Sequence, residues 1–182
     1  IRLSLVGSEM CIRDSVHLIH PGCKVSSKKN SNSVPYGPSL LGRIIDGMGR
    51  PIDGKGPLLA PQREGFYCEP PNPLSRSLIK EPFSTGIKAI DSFIPLGVGQ
   101  RVGIFSGSGV GKSILLGMIG RGSEAEVNVI SLVGERGREL REFVENDLGP
   151  EGMAKSVIVV STSDQPAPMR ICLLYTSPSP RD

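Results

Sequence analysis

Residues 107–113 read Gly-Ser-Gly-Val-Gly-Lys-Ser, and they follow the apolar run Val102–Phe105. An apolar strand, a glycine-rich turn and a helix-forming stretch in that order confine the chain to an α/β arrangement whose turn cradles an anion. The glycines let successive backbone N–H groups face one phosphate. Lys112 adds a point charge for the terminal phosphates, and the Ser113 hydroxyl suits a magnesium ion. The helix that begins here directs its positive end at the same place. The candidate nucleotide-holding set is therefore Gly107, Ser108, Gly109, Val110, Gly111, Lys112, Ser113 and the following Ile114. The strict pattern asks for glycine where this chain has Ser106. That position shapes the strand exit and touches no phosphate through a side chain.

Downstream periodicity predicts the rest of an α/β unit. Arg101–Phe105 reads as a buried strand and Lys112–Ile119 as a helix, with Ile114, Leu115, Met118 and Ile119 on its apolar side. Val127–Val133 is almost continuously apolar, as for a parallel strand covered on both faces. Arg138–Leu148 reads as an amphipathic helix that buries Leu140, Phe143, Val144 and Leu148 and exposes Arg141, Glu142 and Glu145. Val157–Val160 is a third strand. Alternating strands and helices predict a parallel sheet with right-handed crossovers.

The first part of the chain differs in character. Composition changes near residue 65. Before it, Gly, Pro and Ser are frequent, Leu40–Ile45 reads as a strand, and Asp46-Gly47 and Asp53-Gly54 are turn signals. Two half-similar phrases, Gly-Arg-Ile-Ile-Asp-Gly and Gly-Arg-Pro-Ile-Asp-Gly, bracket a tight reversal. These features predict the end of a small β-domain over 16–65. Prolines 70, 71 and 73 make Pro61–Pro73 an extended connector, and Ile90, Phe93 and Ile94 suggest a short helical segment before Gly97.

The two ends carry a different signal. Written with the codons CTC GTG GGC TCG GAG ATG TGT ATA AGA GAC, with Ser4 ending in GT and Ser15 beginning with AG, the stretch around Leu5–Asp14 has a reverse complement that translates as Cys172–Asp182, residue for residue. That stretch resembles a translated sequencing-library adapter. Residues 1–15 and 171–182 are therefore expected to be adapter-derived and are set aside, as a fusion scar would be. The remaining Val16–Arg170 is of ordinary single-domain size.

Charge and cysteines exclude several classes. The formal net charge is +3, too small to argue for nucleic acid, and no basic run is interleaved with aromatics. Setting the ends aside leaves Cys23 and Cys68, far apart and without a C-x-x-C. They read as packing residues of a reduced, cytoplasmic protein. No apolar run reaches the roughly 18 residues of a membrane span. His17 and His20 support no metal site.

A second constellation follows the second predicted strand: Gly134-Glu135-Arg136-Gly137-Arg138-Glu139. Ligands of an open parallel sheet bind outside the carboxyl ends of its strands. The fold can thus bring Glu135 near the terminal phosphate, where it would position the attacking water. The plainer reading is a charged helix start, worth about 0.3–1 kcal/mol from the helix dipole alone. Arg136 either orients Glu135 or meets a neighbouring subunit. Asp164, after the third strand, reads more readily as a turn cap than as a nucleotide contact.

Several phrases together carry a family resemblance. LLGRIIDGMGRPIDGKGPL, PPNPLSR, STGIKAID, GQRVGIFSGSGVGKS, NVISLVGERGRELREFVE and SVIVVSTSDQPAPMR resemble the hexameric rotary-type ATPases of the F1/V1 α/β family. Within these they are most similar to the flagellum-specific type III export ATPases, with injectisome secretion ATPases and the catalytic subunit of proton-translocating ATP synthases as alternatives. The resemblance implies the end of a small β-barrel domain over 16–65 and the first part of a RecA-like ATPase domain over 66–170. It implies ATP and Mg2+ as ligands, a homohexamer, and export substrates, chaperones, stalk and regulator proteins as partners. It also implies a cytoplasmic site of action, peripheral at a membrane export gate, and no nucleic acid. Carried over by position, Gly107–Ser113 hold the phosphates, Ser113 the magnesium, Glu135 is the catalytic carboxylate and Arg136 the arginine beside it. The aspartate strand and the interface arginine of the family lie beyond Arg170, so this fragment is expected to bind nucleotide weakly and not to turn it over. An RNA translocase and a non-catalytic ring subunit are the competing classes. The near-neutral charge argues against the first and Glu135 against the second.

Overall fold

The computed structural model describes residues 33–59, 62–65, 72–107, 109–165 and 170. Cys23, Cys68, His17, His20, Ser108, most of the proline connector and both expected adapter segments lie outside the described residues. The main sheet has three strands, all parallel, in the order β2 (Arg43–Asp46), β7 (Ser156–Ser161), β6 (Asn128–Val133). Two small antiparallel pairs accompany it: β1 (Ser33–Tyr36) with β3 (Gln62–Gly65), and β4 (Pro82–Phe83) with β5 (Leu96–Gly97). The short helix α1 (Lys88–Phe93) joins β4 to β5.

The central position of β7 explains its composition. Ile158 and Val160 point to one side and pack with Ile130 and Leu132 of β6 and with Phe143 and Leu148. Val157 and Val159 point to the other side, against Leu40, Ile45 and Leu58. A strand covered on both faces reads as a continuous apolar run. The predicted strands at 127–133 and 157–160 thus form, each within a residue of its expected bounds.

Three expectations are corrected. The sequence placed Leu40–Ile45 in a separate β-domain. In the structure β2 is an edge strand of the α/β sheet, with Arg43 opposite Val157 and Asp46 opposite Val160. Its two half-similar phrases interlock by exchanging partners. Arg43 of the first phrase donates Nε to Asp53 of the second at 2.6 Å, and Arg50 of the second donates to Asp46 of the first at 2.7 Å. Asp53 also accepts from the Ile44 and Lys55 backbone, and these contacts, led by the Arg43 hydrogen bond, hold its carboxyl well below the usual carboxylate range.

The second correction concerns Arg101–Phe105, which is not a strand. No described strand pairs with it, and strand geometry persists only where a neighbour takes up the backbone hydrogen bonds. Its side chains accordingly stay exposed, Val102 at 53%, Ile104 at 44% and Phe105 at 95%.

The third concerns the helices. Helix α2 spans Lys112–Gly122, but its buried face is made of glycines. Leu115 and Ile119 are half-buried, while Ile114 and Met118 are exposed. Gly117 and Gly120 are buried instead, and a Cβ on Gly117 would lie 2.7 Å from the Asp147 backbone. Glycine costs a helix about 0.8–1 kcal/mol relative to alanine. Here it lets two helical segments approach to backbone contact. The predicted helix at 138–148 begins as α3 (Gly137–Glu142), then widens into a π-helical turn over Phe143–Leu148. Gly149, at φ +64°, and Pro150 then start a further helix, α4 (Gly149–Ala154), which periodicity did not anticipate. The predicted apolar stripe is nonetheless correct: Phe143 and Leu148 are buried, and Leu140 and Val144 pack against them.

Candidate nucleotide site

The site forms where two carboxyl-side turns meet the start of α2. Gly109 and Gly111 lead into the helix at φ +76° and +97°, values that favour glycine, and a Cβ at either would meet nothing within 4 Å. The loop therefore faces open space. Lys112 is the first residue of α2, with its ammonium turned onto the loop: it donates to the Gly107 carbonyl at 2.7 Å and to the Ser106 carbonyl at 2.8 Å.

Glu135 arrives from the other turn. Gly134, at φ +77°, ends β6 and donates its N–H to the Ser161 carbonyl at 2.7 Å, while Ser163 donates to the Glu135 carbonyl at 3.0 Å. The exit of β7 thus fixes the Glu135 backbone from both sides. Its side chain lines a cavity of about 330 Å³ together with Lys112, Ser113, Leu116, Ser131, Glu139, Leu140 and Phe143. Burial from water raises the Glu135 carboxyl above its ordinary value. A hydrogen bond shared with the Glu139 carboxyl and that neighbour's charge add to the rise, and the Lys112 charge opposes it.

Of the residues singled out in the sequence, Lys112, Ser113 and Glu135 come together in this cavity. Arg136 does not line it. Arg136 is exposed and reaches Glu139, Nη1 to Oε1 3.3 Å. Val110 and Ile114 are exposed and also lie outside the lining. Asp164 is exposed in the turn after β7, where a hydrogen bond from the Thr162 hydroxyl lowers its carboxyl pKa, which agrees with the turn-cap reading. Glu139 is the residue that sequence reasoning missed. It stands in the first turn of α3, four residues after Glu135, which precedes the helix, and a glutamate at a helix start gave no separate signal.

A second clamp holds the N-terminal side of the site unit together. Asp91 accepts from the Thr85 N–H at 2.9 Å, the Thr85 hydroxyl at 2.7 Å, the Ser84 hydroxyl at 3.1 Å and the Gly86 N–H at 3.1 Å. Ser84 in turn exchanges backbone and side-chain bonds with Glu124 just past the end of α2. The STGIKAID phrase is therefore a buckle around the far end of the helix that begins at the phosphate loop.

The chemistry of the donor set suits a hard divalent cation held with phosphate. A serine and two glutamates line one cavity, and magnesium takes few protein oxygens and keeps waters and phosphate oxygens as its other ligands. Among the described residues no group of three or more His, Cys, Asp or Glu forms a self-sufficient metal cage. No helix among them is long and apolar enough to cross a membrane.

Comparison with known proteins fits this geometry. The flagellum-specific ATP synthase of Bacillus subtilis (strain 168) is 52% identical over 161 residues, covering 87% of this chain and 36% of that protein. The type 3 secretion system ATPase of Xanthomonas euvesicatoria is 50% identical over 133 residues, covering 73% of this chain and 30% of that protein. The chain thus spans about a third of the length of these curated relatives. Among solved structures, the assembled ATPase EscN in complex with its central stalk EscO, from the type III secretion system of enteropathogenic E. coli, superposes with a TM-score of 0.75 at 45% identity, covering 86% of this chain and 40% of that one. A sequence model described as the ATP synthase alpha/beta family, nucleotide-binding domain, matches residues 86–179, a span that takes in the phosphate loop, Glu135 and β7. The chain belongs to that family.

Proposed function

We propose that this chain is the nucleotide-binding part of a hexameric ATPase that energises type III protein export for flagellum assembly. The observation that carries the reading is the convergence of Lys112, Ser113 and Glu135 on one cavity at the carboxyl ends of parallel strands. The flagellar use rests on the 52% identity over 161 residues to the Bacillus subtilis flagellum-specific relative.

The roles follow from position. Backbone N–H groups of 107–111 and the α2 N-terminus hold the phosphates of ATP. Lys112 neutralises the terminal phosphates, and the Ser113 hydroxyl holds the magnesium ion, which supplies charge neutralisation at the phosphate oxygens. Glu135 orients the attacking water and takes up its proton. Arg136, outside the cavity lining and paired with Glu139, serves a neighbouring subunit or the carboxylate pair rather than the phosphates. The assembled relative with its stalk supports a ring-forming subunit that meets a stalk protein; a homohexamer, export substrates, their chaperones and a place at the inner face of the cell membrane are what the family resemblance implies. The join between α/β core and preceding β-domain falls before Leu40 in this reading, since β2 belongs to the core sheet.

Lys112→Ala tests the proposal directly. In the full-length protein it is expected to weaken binding of a fluorescent ATP analogue about ten- to a hundredfold, the worth of charge-assisted hydrogen bonds to phosphate. Unchanged affinity would mean that the loop does not hold nucleotide.

A further inference from the structure

An ammonium carries three N–H donors, and three loop oxygens take up those of Lys112. They are the Gly107 carbonyl at 2.7 Å, the Ser106 carbonyl at 2.8 Å and the Ser106 hydroxyl at 3.1 Å. Two of the three acceptors belong to one residue. The glycine of the strict loop pattern supplies the carbonyl at this position but no hydroxyl, so the third acceptor exists only because this chain carries Ser106. Ser106 is itself exposed, and its hydroxyl donates weakly to the Gly107 carbonyl at 3.3 Å. That bond turns its lone pairs toward the lysine. The serine thus completes a small cage of oxygens around the ammonium on the loop side of the helix.

The same three donors are what the lysine offers to the β- and γ-phosphates of a nucleotide. Loop oxygens and phosphate oxygens therefore compete for one group. We infer that Ser106 is a positioning residue for Lys112: its hydroxyl holds the ammonium against the loop and so lowers affinity for nucleoside di- and triphosphates. The inference rests on the nucleotide-binding reading above. It assigns to Ser106 a function that acts only through Lys112. A nucleoside monophosphate has neither a β- nor a γ-phosphate and escapes the competition.

The test measures dissociation constants of Mg·ATP, Mg·ADP and AMP by titration calorimetry on the full-length protein. The variants are Ser106→Ala, Ser106→Gly, Lys112→Ala and the Ser106→Ala/Lys112→Ala pair. Ser106 is exposed, so its removal leaves the fold intact, and a melting curve checks this. Loss of one charge-assisted acceptor in a solvent-exposed site is expected to tighten ATP and ADP about two- to fivefold in both Ser106 variants. AMP affinity stays unchanged, and the gain disappears in the Lys112→Ala background, as coupled residues require. Weaker or unchanged ATP binding in Ser106→Ala, or an equal gain without Lys112, overturns the inference while the nucleotide reading stands. An ATP affinity indifferent to Lys112→Ala overturns both.

Discussion

Glu135→Gln in the full-length protein is expected to lower kcat for ATP hydrolysis by about 10²–10⁴-fold, the usual contribution of a positioned general base, while nucleotide binding persists. The substitution keeps the shape of the side chain and its place at the β6 exit, which backbone bonds to Ser161 and Ser163 fix independently of the carboxyl. Only the basicity is lost. Hydrolysis at the wild-type rate would remove Glu135 from the chemistry and leave it as a charged helix start. The same group dictates a pH dependence. Glu135 works ionised, and burial together with Glu139 raises its folded pKa. The acid limb of kcat therefore lies at higher pH than an ordinary glutamate near 4.3 would give. Activity is full above that limb and falls as pH drops through it. Glu139→Gln removes one contribution to the rise, so the limb is expected to move to lower pH. A kcat–pH profile whose limb stays in place would show that the two carboxyls do not communicate.

Leu148→Ala carries the largest expected structural effect. Leu148 is fully buried at the end of the π-helical turn. Its Cδ1 lies 2.9 Å from where a Cβ on Gly120 of α2 would stand, and 2.8 Å from the corresponding point on Gly152 of α4. One side chain thus fills the space that two glycines leave open. Truncation there costs about 2–5 kcal/mol, because a groove walled by backbone collapses poorly onto a cavity. Leu148→Met keeps the volume and is expected to cost less than about 1.5 kcal/mol. Hydrogen exchange of the β6 and β7 amides reads the difference locally. Equal protection in the alanine variant and the wild type would show that the helices do not depend on this plug.

The strands β6 and β7, the start of α2 and the convergence of Lys112 with Glu135 were legible in the sequence, because each follows from local pattern and from where parallel strands end. What stayed hidden depends on partners distant in sequence. Nothing in Leu40–Ile45 says that its neighbour is Val157–Val160 rather than a strand of a preceding barrel. Val102–Phe105 has strand composition, yet composition cannot supply the adjacent edge. The buried face of α2 was misread for a related reason: apolar periodicity finds large side chains, and here Gly117 and Gly120 carry the contact. Glu139 was overlooked because a glutamate in the first turn of a helix already has a sufficient electrostatic reason to be there. Only the shared cavity with Glu135 distinguishes it.

The sheet order has a consequence for synthesis on the ribosome. Among the described strands, β2 and β6 each hydrogen-bond to β7 alone within their sheet, and β7 is the last of the three to be made. Arg43 therefore leaves the exit tunnel long before Val157, its opposite number, exists. At about 5–20 residues per second the wait lasts about 6–23 s, during which the Arg43–Asp53 pairing can pre-shape the first strand but no sheet can close. Assembly of this α/β core is timed by the emergence of one six-residue segment, and a translational pause placed just before it would prolong exposure of both waiting strands to chaperones and to each other.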